Sequence, residues 1–137
     1  PKTLEMMETL GITVVGYNTD EFPAFYSRES GCFGIHSVLS PANIGDIYNE
    51  NVSSGLSSAM LVANPVPEKD EIPANEMESI IESACKTAAE QNIIGKELTP
   101  FLLKEIVEKT SGRSLETNKA LAINNINLGI QIANGLV

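Results

Sequence analysis

The sequence predicts an α/β fold built on a mainly parallel sheet with helices on both faces. Two short apolar runs, Ile12–Tyr17 and Ala59–Pro67, read as buried strands, and long segments with apolar residues at helical spacing alternate with them. Hydrophobic residues make up 42% of the chain, enough for a packed core and too many for wholesale disorder. The 137 residues suit one domain or part of a larger one. Two strands are too few for a stable sheet, so further strands are expected upstream.

Each element has its own signal. "PKTLEMMETLG" places Leu4, Met7 and Leu10 on one helical side, with Gly11 as the C-cap. It has no initiator Met, and an upstream half is expected to precede it. "ITVVGY" is continuously apolar, as in a strand buried on both faces. The stretch "GYNTDEFPAFYSRESG" then concentrates Tyr17, Phe22, Phe25 and Tyr26 with Asp20, Glu21, Arg28 and Glu29, as either a folded-in wall or a working surface. Ser40 as N-cap and Pro41 at the first helical position start a short helix. "NVSSGLSS" reads as a connection to the second strand, which prolines stop.

Pro73–Asn92 is the clearest helix. Met77, Ile80, Ile81, Ala84, Cys85 and Ala88 form its apolar stripe, opposite Glu78, Glu82, Lys86 and Glu90. Cys85, on that stripe, is expected to be a buried, inert thiol. Thr99 and Pro100 are expected to cap and start the next helix, whose apolar side is Phe101, Leu102, Ile106 and Val107. Gly112 breaks it, and Ser114 is placed to cap a last helix. That final segment, Leu115–Leu136, is apolar on most faces and is expected to be largely buried.

Composition excludes several functions. The formal charge of −9 opposes a nucleic-acid groove, which needs clustered Lys and Arg, but leaves room for one small phosphorylated ligand. Cys32 and Cys85 have no CxxC spacing and read as two reduced thiols. His36 is the single histidine, with no ligand spacing around it, and reads as a loop or surface residue. No apolar run reaches the ~18 residues of a membrane span, no signal peptide opens the chain, and a cytoplasmic location is the expectation. GxGxxG and GxxxxGK[ST] are both absent.

Two features remain as candidates for chemistry. Asp20 and Glu21 follow the end of a strand, where ligands gather in open α/β sheets. Paired carboxylates serve acid–base work or a divalent cation, or more simply cap a turn or pair with Arg28. Asn118, Asn124, Asn125 and Asn127 interrupt an otherwise apolar helix. Asn118 and Asn125, seven apart, share a face. Their amides either fix packing or offer donor and acceptor together to a pyrimidine edge or a sugar hydroxyl.

These stretches also carry a resemblance. "PKTLEMMETLGITVVGYNTDEFPAFYSRESG", "LVANPVP" and "GKELTPFLLKEIVEKTSGRSLETNKALAINNINLG" are together similar to the pseudouridine-5′-phosphate glycosidases, the indigoidine-synthase-A-like family. The likeness is collinear from Pro1 to near the C-terminus and weakest between Cys32 and Ser58. It implies a three-layer α/β/α fold and a homotrimer. It implies reversible cleavage of the C–C glycosidic bond of pseudouridine 5′-phosphate to uracil and ribose 5-phosphate, through a Schiff-base lysine and a proton-transferring glutamate, with Mn2+ near an aspartate. A C–C bond offers no leaving oxygen to protonate, and a covalent imine that delocalises electrons answers that need. The family's lysine, glutamate and aspartate lie upstream, and none of Lys2, Lys69, Lys86, Lys96, Lys104, Lys109 or Lys119 matches the nucleophile. Residues 1–137 therefore resemble the C-terminal portion of a single glycosidase domain, inactive alone.

One site position carries over: Asn118, in "SLETNKAL", matches the family asparagine that faces the nucleobase. Asn124 and Asn125 are assigned to packing. "DEFPAFYSRESG" reads as a wall and subunit-contact element, its shape fixed by Asp20, Glu21 and Arg28, so that loss of the Asp20 side chain is expected mainly to lower stability. Two other readings stand beside the catalytic one: a noncatalytic binding or assembly module that retains the fold, and a generic α/β ligand-binding domain.

Overall fold

The computed structural model describes residues 2–136; Pro1, where the resemblance begins, and Val137 lie outside the described residues. Helix α1 (Lys2–Thr9) leads into strand β1 (Thr13–Tyr17). A long loop reaches β2 (His36–Val38), and α2 (Pro41–Ser53) leads to β3 (Met60–Ala63). Helices α3 (Ala74–Glu90), α4 (Leu98–Lys109) and α5 (Arg113–Gly135) complete the chain. The sheet is parallel throughout, in the order β2-β1-β3, with Val15 opposite both His36 and Val62. The α/β class expected from the sequence is therefore present, and β2 is a strand that the sequence pattern did not show. His36 opens β2 and is exposed.

Alternation along the strands decides the faces. Val15, Val38, Ile44 and Leu128 form a buried cluster, with Tyr17, Ile47, Met60, Val62 and Ile132 packed around it. Helices α2 and α5 thus cover one face. The other face is only partly covered: Gly16 and Ala63 are buried, while Val14 and Leu61 are half-buried. The expectation of a strand buried on both faces holds for Val15 and Gly16 alone. A second cluster lies apart from the sheet: Tyr26, Ile72, Met77, Ala84 and Ile106, with Ile80 and Leu102 against it. It is the α3–α4 pair closed by the loop.

The helix ends repeat one device. Paired six-to-one and five-to-two hydrogen bonds close α1, α2, α3 and α4, as in Ile12 N to Met7 O and Gly11 N to Glu8 O. The left-handed residue is Gly11, Gly55, Asn92 or Ser111 in turn. Ser40 caps α2 as expected, accepting from the Asn43 amide at 3.2 Å, with Pro41 in the first turn. That helix runs on through Asn51–Ser53, beyond the end its sequence pattern predicts.

Two other caps differ from expectation. Helix α4 begins at Leu98, carried in by the single turn Gly95–Glu97, so Thr99 is inside it and Pro100 sits in the first turn, where an N–H is dispensable. Helix α5 begins at Arg113 after Gly112, so Ser114 is not its cap. Thr110 serves instead: its Oγ1 accepts from the Ser114 amide at 3.2 Å and donates to the Ile106 carbonyl at 2.7 Å, joining α4 to α5.

Two burial expectations are corrected. Cys85 is exposed, because the stripe of α3 centres on Met77, Ala84 and Ala88, and Cys85 is turned about 100° away from Ala84. Helix α5 is not largely buried. Leu128 is in the core, but Ile123, Ile126 and Ile130 are exposed, Ile126 by 61%. Helix α2 packs one side of α5, and no described residue covers that isoleucine stripe.

Candidate functional site

The carboxyl ends of the three strands lie together because the sheet is parallel. In the order β2-β1-β3 the first connection runs outward from β1 to β2 and the next crosses back past β1 to β3, and such a reversal of strand order opens a crevice for ligands. The crevice is lined by Thr19, Glu21, Arg28, Glu29, Pro65 and Glu71, with Glu68 at its rim. Its walls come from the long loop after β1 and the segment after β3.

The loop is held in shape by its own polar groups. Thr19 Oγ1 accepts from the Glu21 amide at 3.1 Å. The buried Glu21 carboxylate accepts from the amides of Ser30 and Gly31. The Phe22 amide donates to the Cys32 carbonyl at 2.8 Å, and Glu21 bridges Phe33 across the turn. The loop is then tied to the α3 side: Ser27 donates to the Ile72 carbonyl at 2.6 Å, and the Ile72 amide donates to Tyr26 O at 3.0 Å. Phe25 and Tyr26 meet edge to face at 4.7 Å, and burial pushes the Tyr26 hydroxyl pKa up. The stretch is thus folded in as a wall of the crevice, tied to the α3 side.

The charged trio divides its roles. Glu21 caps the turn, as the simpler reading had it, and makes no pair with Arg28. Arg28 donates to the Val66 carbonyl at 2.7 Å and lies 3.9 Å from Glu71. Asp20 acts through its main chain: its carbonyl accepts from the amides of Gly34 and Ile35, while its side chain is exposed. Losing the Asp20 carboxylate should leave those main-chain bonds intact, so a smaller loss of stability is expected there than at Glu21.

The Ser30 amide holds the Glu21 carboxyl below the usual glutamate range, burial opposing it and the Gly31 amide adding to it. A depressed folded-state pKa contributes stability that is present above the unfolded value, about 4.3, and lost as pH falls through the folded value. Glu21→Ala should cost about 1–3 kcal/mol at neutral pH, since two loop amides lose a charged acceptor. The penalty should shrink in acid. Denaturant unfolding of both proteins at neutral pH and below about pH 4 checks this; a pH-independent difference would contradict it.

Helix α5 brings Asn124 and Asn125 to the same end. Asn124 Nδ2 donates to Pro65 O at 3.0 Å, and Asn64 Nδ2 donates to Asn125 Oδ1 at 3.0 Å. Asn118 is half-buried two turns earlier on the Asn125 side, and its side chain bonds to no protein group among the described residues. Packing is thus an adequate account of Asn124 and leaves Asn118 without one. Asn64 was not singled out from the sequence; its signal is an Asn–Pro step closing an apolar run.

Nucleophile and metal chemistry find few resources here. All seven lysines, Lys2, Lys69, Lys86, Lys96, Lys104, Lys109 and Lys119, are exposed. Lys104, Lys109 and Lys119 lie beside Glu108, Glu105 and Glu116 on their own helices. Among the described residues no group of three or more His, Cys, Asp or Glu side chains is placed to hold a metal ion. Cys32 and Cys85 are free thiols. No described helix is long and apolar enough to cross a membrane.

Fold and site together define an α/β protein with a polar, mainly acidic crevice at the carboxyl ends of its strands, beside which Asn64, Asn124 and Asn125 gather. Comparison with known proteins gives the class a family: residues 1–135 match the model described as indigoidine synthase A like protein, and the chain belongs to that family. A pseudouridine-5′-phosphate glycosidase of Mesorhizobium japonicum is 48% identical over 135 residues, 98% of this chain and 44% of that protein. The enzyme of the same description from Solibacter usitatus is 47% identical over 136 residues, 99% of this chain and 46% of its own. The chain thus spans less than half the length of these curated relatives. The crystal structure of an indigoidine synthase A-like protein from Thermotoga maritima superposes with a TM-score of 0.83 at 43% identity, over 96% of this chain and 43% of that one. The prealnumycin C-glycosynthase AlnA, solved in complex with ribulose 5-phosphate, shares the fold with a TM-score of 0.82 at 22% identity, over 98% of this chain and 43% of its own.

Proposed function

We propose that residues 1–137 are the C-terminal portion of a single pseudouridine-5′-phosphate glycosidase domain. The complete protein cleaves the C–C glycosidic bond of pseudouridine 5′-phosphate reversibly, to uracil and ribose 5-phosphate. The observation that carries this reading is the family match along residues 1–135, with glycosidases of 47–48% identity among the relatives.

Physical features of the chain support the division of labour. A Schiff-base lysine works with its amine neutral, which calls for burial or a neighbouring cation. Seven exposed lysines offer no such environment, so the nucleophile is assigned to the remainder of the domain, as are the proton-transferring glutamate and the aspartate near Mn2+. Among the described residues the donor set does not fit a metal. The isoleucine stripe of α5 and the half-open sheet face supply apolar surface that a complete three-layer α/β/α domain buries. This chain contributes the wall loop and Asn118, whose unbonded amide faces the nucleobase. A homotrimer, a cytoplasmic location and subunit contacts through the exposed Phe25 and Phe33 belong to the same proposal.

Product analysis tests it. The complete polypeptide, incubated with pseudouridine 5′-phosphate and Mn2+, should release uracil and ribose 5-phosphate in equal amounts. Unchanged substrate after prolonged incubation with folded protein would refute it.

A further inference from the structure

We propose that Asn64, at the carboxyl end of β3, and its partner Asn125 extend the nucleobase-recognition surface beyond Asn118 along one side of α5, to read the polar edge of a pyrimidine. Asn64 is the specificity-determining member. The identity of the base rests on the glycosidase reading above.

The pair does little for the fold. The Asn64–Asn125 bond is exposed, and water competes for both partners, so it contributes little to stability. Within α5, Asn125 is a poorer helix former than alanine. Asn124, one residue away, is different: partly buried, it holds the Pro65 carbonyl and is explained by packing.

The remaining capacity of the pair is what matters. Their mutual bond uses one Asn64 N–H and one lone pair of Asn125. It leaves the Asn64 carbonyl, its second N–H and both N–H groups of Asn125 available. A pyrimidine dione presents C=O, N–H and C=O along one edge. An amide meets part of that edge with two bonds at once, its carbonyl accepting the ring N–H and its N–H donating to a ring carbonyl. The mutual bond also orients Asn64, so less side-chain freedom is lost on binding.

Placement agrees. Asn64 directly follows β3, whose last residue Ala63 pairs with Gly16 of the central strand. Asn118 and Asn125 share one side of α5, about 10 Å apart along the axis, a span that two amides and a ring can bridge. All three are neutral, as suits a base edge and not a phosphate.

The test is binding of uracil and of ribose 5-phosphate, measured separately by calorimetry on the complete polypeptide. Asn64→Ala should weaken uracil at least about tenfold, leave ribose 5-phosphate unchanged and leave Tm unchanged. Asn125→Ala, on an exposed helix face, should weaken uracil less, by releasing Asn64. Wild-type uracil affinity in both variants would overturn this inference alone. A wild-type protein that binds neither compound would remove the glycosidase reading, and this inference with it.

Discussion

Replacing Gly16 with alanine should destabilise the protein by about 3 kcal/mol or more. Gly16 sits in the central strand where the long loop doubles back. A Cβ placed there would lie 2.1 Å from the Thr19 carbonyl oxygen, with Ile35 Cδ1 at 2.8 Å and Thr19 Cγ2 at 2.9 Å. The Ile35 side chain can shift; the Thr19 carbonyl is backbone, pinned by a turn in which the Thr19 hydroxyl donates to the Glu21 carbonyl at 3.0 Å. Relief therefore requires moving the loop that lines the crevice. Denaturant unfolding of the complete polypeptide measures the cost. A variant within about 0.5 kcal/mol of wild type would mean that the loop does not press on the sheet as described.

The largest effect on activity should come from Asn118→Ala. In the proposed role of Asn118, loss of its amide should lower kcat/KM of the complete polypeptide by about 100-fold, equivalent to roughly 2–3 kcal/mol of transition-state stabilisation. Stability should hardly change, because Asn118 has no protein partner among the described residues and alanine is the better helix former. Steady-state kinetics with pseudouridine 5′-phosphate and a thermal melt on the same sample separate the alternatives. Normal kinetics with a lowered Tm would return Asn118 to a packing role.

Much of the fold was legible where one local signal was sufficient. Ser40–Pro41 specified a helix start, Gly11 a helix end, and the spacing of Met77, Ala84 and Ala88 the buried stripe of α3. Strand β2 was not legible, because His36–Val38 is too short for a period and is paired by β1, a partner 21 residues away. Cys85 was misplaced because a broad apolar stripe does not reveal where its centre falls. The start of α4 was missed because a preceding single turn outweighed Thr99 and Pro100. Burial of α5 was overestimated because sequence records which side chains are apolar, while burial depends on which neighbours exist to cover them.

The site divides in the same way. Asn118 stood out as an amide in an apolar helix, and the family resemblance gave it a direction. Asn64 had no such contrast in its own neighbourhood; only the approach of α5 to the end of β3 brings it against Asn125. The roles within Asp20, Glu21 and Arg28 likewise depend on which atoms the folded loop turns inward.

The most direct test of the central claim compares turnover of pseudouridine 5′-phosphate by the isolated 137-residue chain and by the complete polypeptide, with the intact mass of each confirmed. The expected result is uracil release by the complete polypeptide and none by the 14.7 kDa chain. Uracil release by the 14.7 kDa chain alone would contradict the account, because it would place the nucleophile among seven lysines that are all exposed here.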